Sequence, residues 1–301
     1  MVYTLTCNPA IDYVVQLDAP LTGGAINRSH REVYQFGGKG INVSNVLHAL
    51  DTPTVALGFV AGFTGCALED NLRKMGLATD FIHLPKGHTR INVKVKSDLE
   101  TEINGAGPEI DQVALQKLDA QLDALADNDT LVLSGSVPKS LGADAYGRIL
   151  RRLQGKKTRM VVDASGALLM NTLAYKPFLV KPNREELEGI VGHSLTGDEQ
   201  IAEAAQQLQA MGAKNVLVSM AGDGAMLLDE HGSLHRTPSP QGQVRNSVGA
   251  GDSMVAGFLA GFLQTGSYDY ALKLGIAAGS ATAFSLELAT KEEILALLEQ
   301  L

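Results

Sequence analysis

Residues 246–262 have the sequence Asn-Ser-Val-Gly-Ala-Gly-Asp-Ser-Met-Val-Ala-Gly-Phe-Leu-Ala-Gly-Phe, a run of small residues that passes directly into an apolar stretch. This order predicts a glycine-rich turn that opens into a buried helix. The first N–H groups of a helix have no partner within it and lie at the positive end of its dipole, so such a turn is an anion site. Gly249 and Gly251 let the backbone approach the anion closely.

Asp252 lies at the start of this predicted helix, where its carboxylate would repel a phosphate. One reason for an aspartate there is that it takes the proton from a hydroxyl that attacks the phosphate. The alternative is that Asp252 caps the helix, because aspartate is favoured at the cap position. The residues of this stretch alone leave both interpretations open.

The composition is that of an ordinary globular protein, because 45% of the 301 residues are apolar and 19% are charged. A net charge of −8 argues against nucleic acid or an anionic membrane as the partner, although small anions could bind where positive groups are concentrated. Two cysteines, Cys7 and Cys66, are too few for a disulfide framework; we expect a cytoplasmic protein in which both side chains pack. We expect neither a signal peptide nor a membrane span, because no apolar run approaches ~18 residues.

Strand and helix patterns alternate along most of the chain, which predicts an α/β fold with a mainly parallel sheet covered by helices on both faces. The predicted strands are 2–6, 13–17, 54–60, 130–134, 159–163, 178–181 and 215–220, with a hairpin over about 224–236. The predicted helices are 41–50, 66–75, 111–126, 143–154, one that begins at 183, 199–211, 268–286 and 291–300.

Two separated segments, about 11–36 and 88–105, break this alternation. Residues 89–96 alternate apolar and polar, and 100–104 follow an acidic turn, which predicts a hairpin with one solvated face. The chain is therefore expected to form one domain over 1–301 that carries a small β-sheet built from these two segments. We expect apolar residues on both the covering and the outer side of this sheet. An apolar outer face would favour association, so we expect a homodimer through it.

Several common catalytic motifs are missing from the sequence. It has no Walker A loop, no G-x-G-x-x-G after the first strand, and neither G-x-S-x-G nor H-E-x-x-H. His231 and His235 lie in a predicted hairpin turn with no apparent third ligand, which favours a solvated turn over a metal site.

A second glycine-rich turn, Gly37-Gly38-Lys39-Gly40-Ile41-Asn42, joins the first in a resemblance that covers essentially the whole chain. Together with TLTCNPAID, TRINVKV, INGAGPEI, LSGSVPKS, FLVKPNREELE and VSMAGDGA in that order, the two turns resemble the ribokinase-like sugar kinases of the phosphofructokinase B family, and most of all their 1-phosphofructokinase branch. The resemblance implies a three-layer α/β/α fold with a β-sheet lid. It also implies Mg²⁺-dependent transfer of phosphate from ATP to fructose 1-phosphate, which gives fructose 1,6-bisphosphate.

Other substrates and one other class of function are alternatives. Tagatose 6-phosphate or fructose 6-phosphate would share the two turns, and a nucleoside is disfavoured because Lys39 and Arg90 suit a phosphate-bearing substrate. A non-catalytic sugar-phosphate sensor would reuse the fold, but the intact Asp252 counts against it.

The resemblance also implies a role for individual residues. Asp252 would be the general base, with the N–H groups of Gly249, Ala250 and Gly251 as the anion hole. The sugar phosphate would be bound by Asp12, Gly37, Gly38, Lys39, Asn42, Arg90, Asn92, Asn104 and Ser136. ATP would be bound by Lys181, Asn183, Ser219, Gly222, Gly224 and Ser247, together with Gly249 and Gly251. Glu186 and Asn183 would hold Mg²⁺ through water.

Some of these residues have an ordinary structural explanation as well. Asn183 with Glu186 three residues later fits a helix capping box, which the residues alone favour, and Asp12 could end a turn. Arg90 lies on an alternating strand, where arginine is usually exposed, although its planar fork suits a phosphate. Lys39 lies at the end of a helix that repels cations, which points to a bound anion.

Asn246 is a departure from the family pattern. Many members carry an acidic residue there, associated with a monovalent-cation site, whereas an asparagine brings no charge. Dependence on potassium is therefore left open.

Overall fold

The computed structural model describes residues 1–301, in which strands and helices alternate. The strands are β1 (Val2–Thr6), β2 (Ala10–Leu17), β3 (Ser29–Gly37), β4 (Thr54–Ala61), β5 (Ala78–Leu84), β6 (Arg90–Lys96), β7 (Glu100–Asn104), β8 (Thr130–Ser134), β9 (Arg159–Asp163), β10 (Leu179–Val180), β11 (Asn215–Ser219), β12 (Ala225–Leu228) and β13 (Leu234–Thr237). The helices are α1 (Lys39–Ala49), α2 (Gly62–Lys74), α3 (Gln112–Asp123), α4 (Ala145–Arg152), α5 (Gly166–Met170), α6 (Arg184–Val191), α7 (Asp198–Ala210), α8 (Ala250–Thr265), α9 (Tyr268–Phe284) and α10 (Lys291–Leu298).

The large sheet has nine strands in the order β13-β12-β11-β10-β9-β8-β1-β4-β5. Its strands are parallel from β5 to β11, and the β11–β12–β13 edge is antiparallel. Helices cover both faces, because neighbouring residues of a strand point to opposite sides: in β8, Leu131 and Leu133 join one apolar cluster and Val132 joins the other. The predicted three-layer α/β/α arrangement with a mainly parallel sheet is confirmed.

The small sheet has the order β3-β2-β6-β7, with β2 and β6 parallel and the two outer pairs antiparallel. Its register places Asp12, Asn92 and Lys94 on one face, and this polar face covers the carboxyl edge of the large sheet. Tyr34 and Ile103 are exposed on the opposite, apolar face. Apolar residues lie on both faces as expected, because Val14 and Val33 share the covering face with its charges and amides.

Local differences from the predicted elements have physical causes. Strand β5 was not predicted, because Asp80 and His83 interrupt its apolar pattern, and it is an edge strand of the large sheet. Helix α2 begins at Gly62, earlier than predicted, and buries the face of Leu68 and Leu72. Cys66 lies on the opposite face and is exposed, so its predicted packing is wrong, whereas Cys7 is buried as predicted.

Helix α8 is the buried helix that the sequence predicts after Gly249. Residues 252–261 are all buried, and the helix packs closely against α9. A Cβ at Gly257 would lie 2.5 Å from the carbonyl oxygen of Leu274, so only glycine allows this approach. The packing holds the first turn of α8 against the carboxyl edge of the large sheet. No helix of the fold combines the length and the apolar character that crossing a bilayer requires.

Candidate active site

Polar residues converge where the central parallel strands end. Ser134 ends β8, Asp163 ends β9 and Lys181 follows β10 directly, so that three neighbouring strands deliver them to one edge. Gly38 lines two clefts at this edge, one of about 740 Å³ under the small sheet and one of about 440 Å³. In α/β sheets this edge is the usual place for a ligand.

The first turn of α8 has free donors. Gly249 adopts a left-handed conformation (φ 82°) before the helix begins, as the glycine-rich turn requires. The N–H groups of Gly249, Gly251 and Asp252 make no hydrogen bond within the chain. The N–H of Ala250, which was predicted to be free, donates to the carbonyl oxygen of Ser247 over 3.3 Å. The N–H of Asp252, which was not in the predicted set, is free instead.

Asp252 is buried at this turn and is not its cap. It is the third residue of α8, and its side chain accepts a hydrogen bond from Nδ2 of Asn42 over 2.8 Å instead of binding a helix N–H. Burial raises the pKa of Asp252 to about 7, with a further contribution from the charge of Asp163, while Lys39, Asn42 and Lys181 act in the opposite direction. The capping interpretation is therefore wrong for this aspartate.

Asp163 is a second buried carboxylate at the same edge, and no role was predicted for it from the sequence. Its Oδ1 lies 3.1 Å from Nζ of Lys181 and its Oδ2 lies 3.4 Å from Nζ of Lys39. Burial alone would raise the pKa of Asp163, but the two ammonium groups outweigh it and lower the pKa. A signal was available, because Asp163 is a charged residue at the end of an otherwise apolar strand.

On the small sheet, Asp12 is held by two neighbours on β6. Nδ2 of Asn92 donates to Oδ1 of Asp12 over 2.8 Å, and Nζ of Lys94 lies 3.1 Å from Oδ2. Nζ of Lys94 also lies 3.6 Å from Oε1 of Glu102. Lys94 was not predicted as a site residue, although it lies two residues after Asn92 on the same face of the sheet. Asp12 lies within β2, so the explanation that it ends a turn is wrong.

The smaller cleft gathers cations and hydroxyl groups. Lys39, Arg90, Ser134, Ser136 and Glu186 all line it. Arg90 donates from Nε to the carbonyl oxygen of Asn8 over 3.2 Å, and burial lowers the pKa of Arg90 despite the opposing charge of Asp12. The hydroxyl of Ser134 is buried and has no hydrogen-bond partner. Arg90 is thus not the freely exposed arginine that its strand pattern suggested.

The remaining residues predicted to bind sugar lie around these clefts. Gly37 and Asn42 line the larger cleft, and a Cβ at Gly37 would lie 3.0 Å from Oδ1 of Asn42. Asn104 pairs with Asn92 in the small sheet, but its side chain is exposed and lines neither cleft.

Asn183 and Glu186 form the capping box of α6. The N–H of Glu186 donates to Oδ1 of Asn183 over 2.7 Å, and the N–H of Asn183 donates to Oε2 of Glu186 over 2.9 Å. The structural interpretation of this pair is confirmed. Oε1 of Glu186 has no hydrogen-bond partner and remains available beside the smaller cleft.

The residues predicted to bind nucleotide are less concentrated. Ser219 pairs with Asn183 through a parallel bridge, which brings it beside the start of α6. Gly224 (φ 90°) has a structural requirement of its own, because a Cβ there would lie 2.2 Å from the carbonyl oxygen of Thr237. Gly222 is uncrowded and Ser247 is exposed.

Two other predicted features lie at the periphery. The side chain of Asn246 donates to the carbonyl oxygen of Leu286 and accepts from the N–H of Val248, each over 3.1 Å, so it fixes the turn before α8. His231 and His235 lie on the β12–β13 hairpin, where Nε2 of His235 lies 2.9 Å from Oδ2 of Asp229.

Comparison with known proteins identifies the family. Residues 1–294 match the sequence profile described as pfkB family carbohydrate kinase. The chain belongs to the pfkB family. A similar curated protein is 1-phosphofructokinase from Bacillus subtilis, 44% identical over 300 residues that cover 100% of this chain and 98% of the relative. D-tagatose-1-phosphate kinase from Bacillus licheniformis is 36% identical over 286 residues, which cover 95% and 93% of the two chains.

Solved structures agree with this membership. Phosphofructokinase-2 from Escherichia coli, in complex with substrates and products, has a TM-score of 0.93 and 27% identity over 100% of this chain and 99% of that chain. The same enzyme has also been solved in a tetrameric inhibited form. This pfkB kinase therefore has the expected ribokinase-like fold. A kinase needs a base for a hydroxyl and a site for a migrating phosphoryl group. The start of α8 contains a buried carboxylate beside N–H groups that have no partner.

Proposed function

We propose that this pfkB kinase transfers the γ-phosphoryl group of ATP to the 6-hydroxyl of fructose 1-phosphate, which gives fructose 1,6-bisphosphate. The observation that carries the proposal is the buried carboxylate of Asp252 in the first turn of α8, beside N–H groups that have no partner. The 44% identity to a 1-phosphofructokinase over the whole chain supports the choice of substrate.

Asp252 acts as the general base in this proposal. With its pKa raised to about 7 by burial, the carboxylate is both available and sufficiently basic near neutral pH to take the proton of the 6-hydroxyl. The hydrogen bond from Asn42 orients it. The free N–H groups of Gly249, Gly251 and Asp252 stabilise the charge that spreads over the transferred phosphoryl group, and Ala250 shapes the turn.

The sugar phosphate binds between the small sheet and the large sheet. Its phosphate lies in the smaller cleft, where Lys39, Arg90 and Ser136 are supported by the unpartnered hydroxyl of Ser134. Its hydroxyl groups are bound in the larger cleft, where Asp12, already ordered by Asn92 and Lys94, joins Gly37, Gly38 and Asn42. The small sheet acts as the lid of a single catalytic domain.

The donor set beside the smaller cleft fits Mg²⁺. This ion is commonly bound by one or two carboxylates together with substrate phosphates, and Glu186 offers the free oxygen Oε1. Glu186 and Asn183 would hold the ion through water, and the bound ion would neutralise charge on the phosphates of ATP. ATP is also bound by Lys181, Ser219, Gly222, Gly224 and Ser247. Oδ1 of Asn246 accepts from the N–H of Val248 and Nδ2 donates to the carbonyl oxygen of Leu286, so we propose no monovalent-cation site there.

D-tagatose 1-phosphate is the second candidate substrate. The relative at 36% identity is named a D-tagatose-1-phosphate kinase, and this sugar differs from fructose only in the configuration at C4. Both substrates carry the phosphate at C1, so the same cation cluster would serve either.

Release of ADP on addition of one sugar at a time tests the proposal. The panel is fructose 1-phosphate, tagatose 1-phosphate, fructose 6-phosphate, tagatose 6-phosphate, free fructose and ribose. We expect the highest kcat/KM with fructose 1-phosphate. Highest activity with a sugar that lacks the 1-phosphate would contradict the substrate assignment, and no ADP release with any sugar would contradict catalysis.

We further propose a homodimer through the outer face of the small sheet. Tyr13 and Tyr34 stack there with ring centroids 4.8 Å apart, and Ile103 is 62% exposed. An exposed apolar sheet face of this kind is normally covered by a partner.

Sedimentation should give twice the 31.8 kDa chain mass, and Ile103→Lys should release monomers. Ile26→Lys, at an 85% exposed residue outside the sheet, is the matched control. A single 31.8 kDa species at micromolar wild-type protein would contradict the dimer.

A further inference from the structure

Two lysines of the site converge on one buried carboxylate. Both oxygens of Asp163 are engaged, Oδ1 by Lys181 at 3.1 Å and Oδ2 by Lys39 at 3.4 Å. Lys181 is itself buried, whereas Lys39 is partly open to the cleft. The three charges come from the end of β9, the residue after β10 and the first residue of α1.

The backbone fixes this arrangement. The N–H of Lys181 donates to the carbonyl oxygen of Val162, next to Asp163, over 3.2 Å, so the two side chains leave the sheet side by side. The N–H of Gly135 donates to the carbonyl oxygen of Asp163 over 3.0 Å and secures the strand on its other side. Lys39 reaches the same carboxylate from the glycine-rich turn before α1.

The two ammonium groups have different surroundings. Nζ of Lys181 is 3.2 Å from the point where a Cβ on Gly251 would stand, which places it against the first turn of α8. Lys39 lines the smaller cleft with Arg90 and Ser136. Asp163 lies behind both lysines and does not line that cleft itself.

We propose that Asp163 is a positioning residue for phosphoryl transfer, which holds Lys181 beside the transferred phosphoryl group and Lys39 beside the sugar substrate while leaving Asp252 unpaired. This inference rests on the proposed function. A lysine ammonium lies on a flexible four-carbon stem, so an anchor is needed to order it before substrate binds. Asp163 supplies that anchor twice.

The same contacts keep the base free. The charged groups that face Asp252 are Asp163, Lys39 and Lys181, and Lys39 also faces Glu186. In the absence of the Asp163 carboxylate, both lysines would turn toward Asp252 as the remaining anion. A carboxylate paired with an ammonium group is a weaker base, so Asp163 protects catalysis by occupying the lysines.

The test is the pH dependence of kcat/KM in Asp163→Asn. We expect kcat/KM to fall about ten- to a hundredfold, as for the loss of a charged hydrogen bond. We also expect the acid limb of the profile, the range in which kcat/KM falls as the pH is lowered, to move to lower pH. A residue that only stabilised the fold, with no charge acting on Asp252 or its lysines, would lower stability and leave the acid limb in place. Asp163→Glu, which keeps the charge, should return the limb toward its wild-type position.

Asp229→Asn is the matched control. Asp229 is another buried aspartate that contacts a basic residue, His235, but it lies on the distant hairpin edge. This variant should lose stability with an unchanged acid limb. An unmoved limb in a folded Asp163→Asn would overturn the inference.

Lys181→Met provides a second measurement if Asp163→Asn fails to fold. Removal of this cation leaves the charge of Asp163 less balanced, so the acid limb should move to higher pH, and an unmoved limb would again overturn the inference. Wild-type enzyme is assayed in parallel. If it phosphorylates no sugar, the proposed function is wrong; if it is active and the limb stays fixed in the variants, only the role of Asp163 is wrong.

Discussion

The end of β9 and the start of α8 each bury one aspartate, and the two carboxylates behave in opposite ways. Asp163 is 1% exposed and Asp252 is 4% exposed, so burial does not distinguish them. Two ammonium groups contact Asp163 and lower its pKa against the effect of burial. Asp252 makes no ion pair and accepts one side-chain hydrogen bond, from the amide of Asn42, and burial raises its pKa to about 7. The neighbours of a buried carboxylate, more than its depth, decide whether it is an anchor or a base.

The largest effect should follow from replacing the base. Asp252→Asn keeps the size of the side chain and should lower kcat by about 10²–10⁴-fold, the usual contribution of general-base assistance. Asp269→Asn is the matched control, because Asp269 also lies in the first turn of a helix, α9, but away from the clefts. A folded Asp252→Asn enzyme that keeps more than about a tenth of the wild-type kcat would contradict the base role.

The same substitution at the two aspartates should change the free energy of unfolding in opposite directions. A folded-state pKa near 7 lies above the unfolded value, so Asp252 stabilises the fold less as the pH rises from about 4 to 7. Asp252→Asn should therefore be more stable than wild type at pH 8, by about 1–4 kcal/mol, and the difference should shrink toward pH 4.

Asp163→Asn should instead be destabilised at pH 8, by about 3–5 kcal/mol if both lysines lose their partner. Because the folded pKa of Asp163 is lowered, its contribution to stability is present at neutral pH and is lost as the pH falls through that lowered pKa. Urea denaturation at pH 5 and pH 8 measures both differences. If both variants changed the free energy of unfolding in the same direction at pH 8, the distinction between Asp163 as an anchor and Asp252 as a base would be contradicted.

Arg90 is a cation of the smaller cleft that Asp163 does not hold, in contrast to Lys39 and Lys181. It lines the smaller cleft and makes no ion pair within the chain. Arg90→Ala should lower kcat/KM for fructose 1-phosphate about ten- to a hundredfold and leave the KM for ATP unchanged. Arg31→Ala, at an exposed arginine of β3, is the control. An unchanged KM and kcat for the sugar phosphate in Arg90→Ala would show that the phosphate binds elsewhere.

The sequence was sufficient where function follows from local order. The small residues before the apolar run at 254–262 predicted both the helix and the position of Asp252, and the alternation in 89–96 predicted the strand that carries Arg90. Asn183 and Glu186 were expected to form a capping box, which the structure contains.

Long-range contacts were beyond the reach of these patterns. Asp163 and Lys39 are separated by 124 positions, and Asp12 and Asn92 by 80, so periodicity gives no indication that they meet. The strand at 159–163 was predicted, but the role of its last residue depends on lysines that two other elements supply. Strand β3 lies in the predicted segment 11–36 but was not itself predicted, because its polar sequence becomes a strand only through its pairing with β2.

The pH profile of kcat/KM in wild type and in Asp252→Asn tests the central claim most directly. In wild type the profile should fall about tenfold per unit below a pH near 7, where Asp252 takes up its proton. The phosphate group of the sugar has its own pKa of about 6 and contributes a second acid limb to the profiles of both enzymes. The residual activity of Asp252→Asn should therefore lose the limb near 7 and keep only the lower one. If the variant keeps the same acid limb as wild type, the titrating base is another group and Asp252 does not have the role proposed for it.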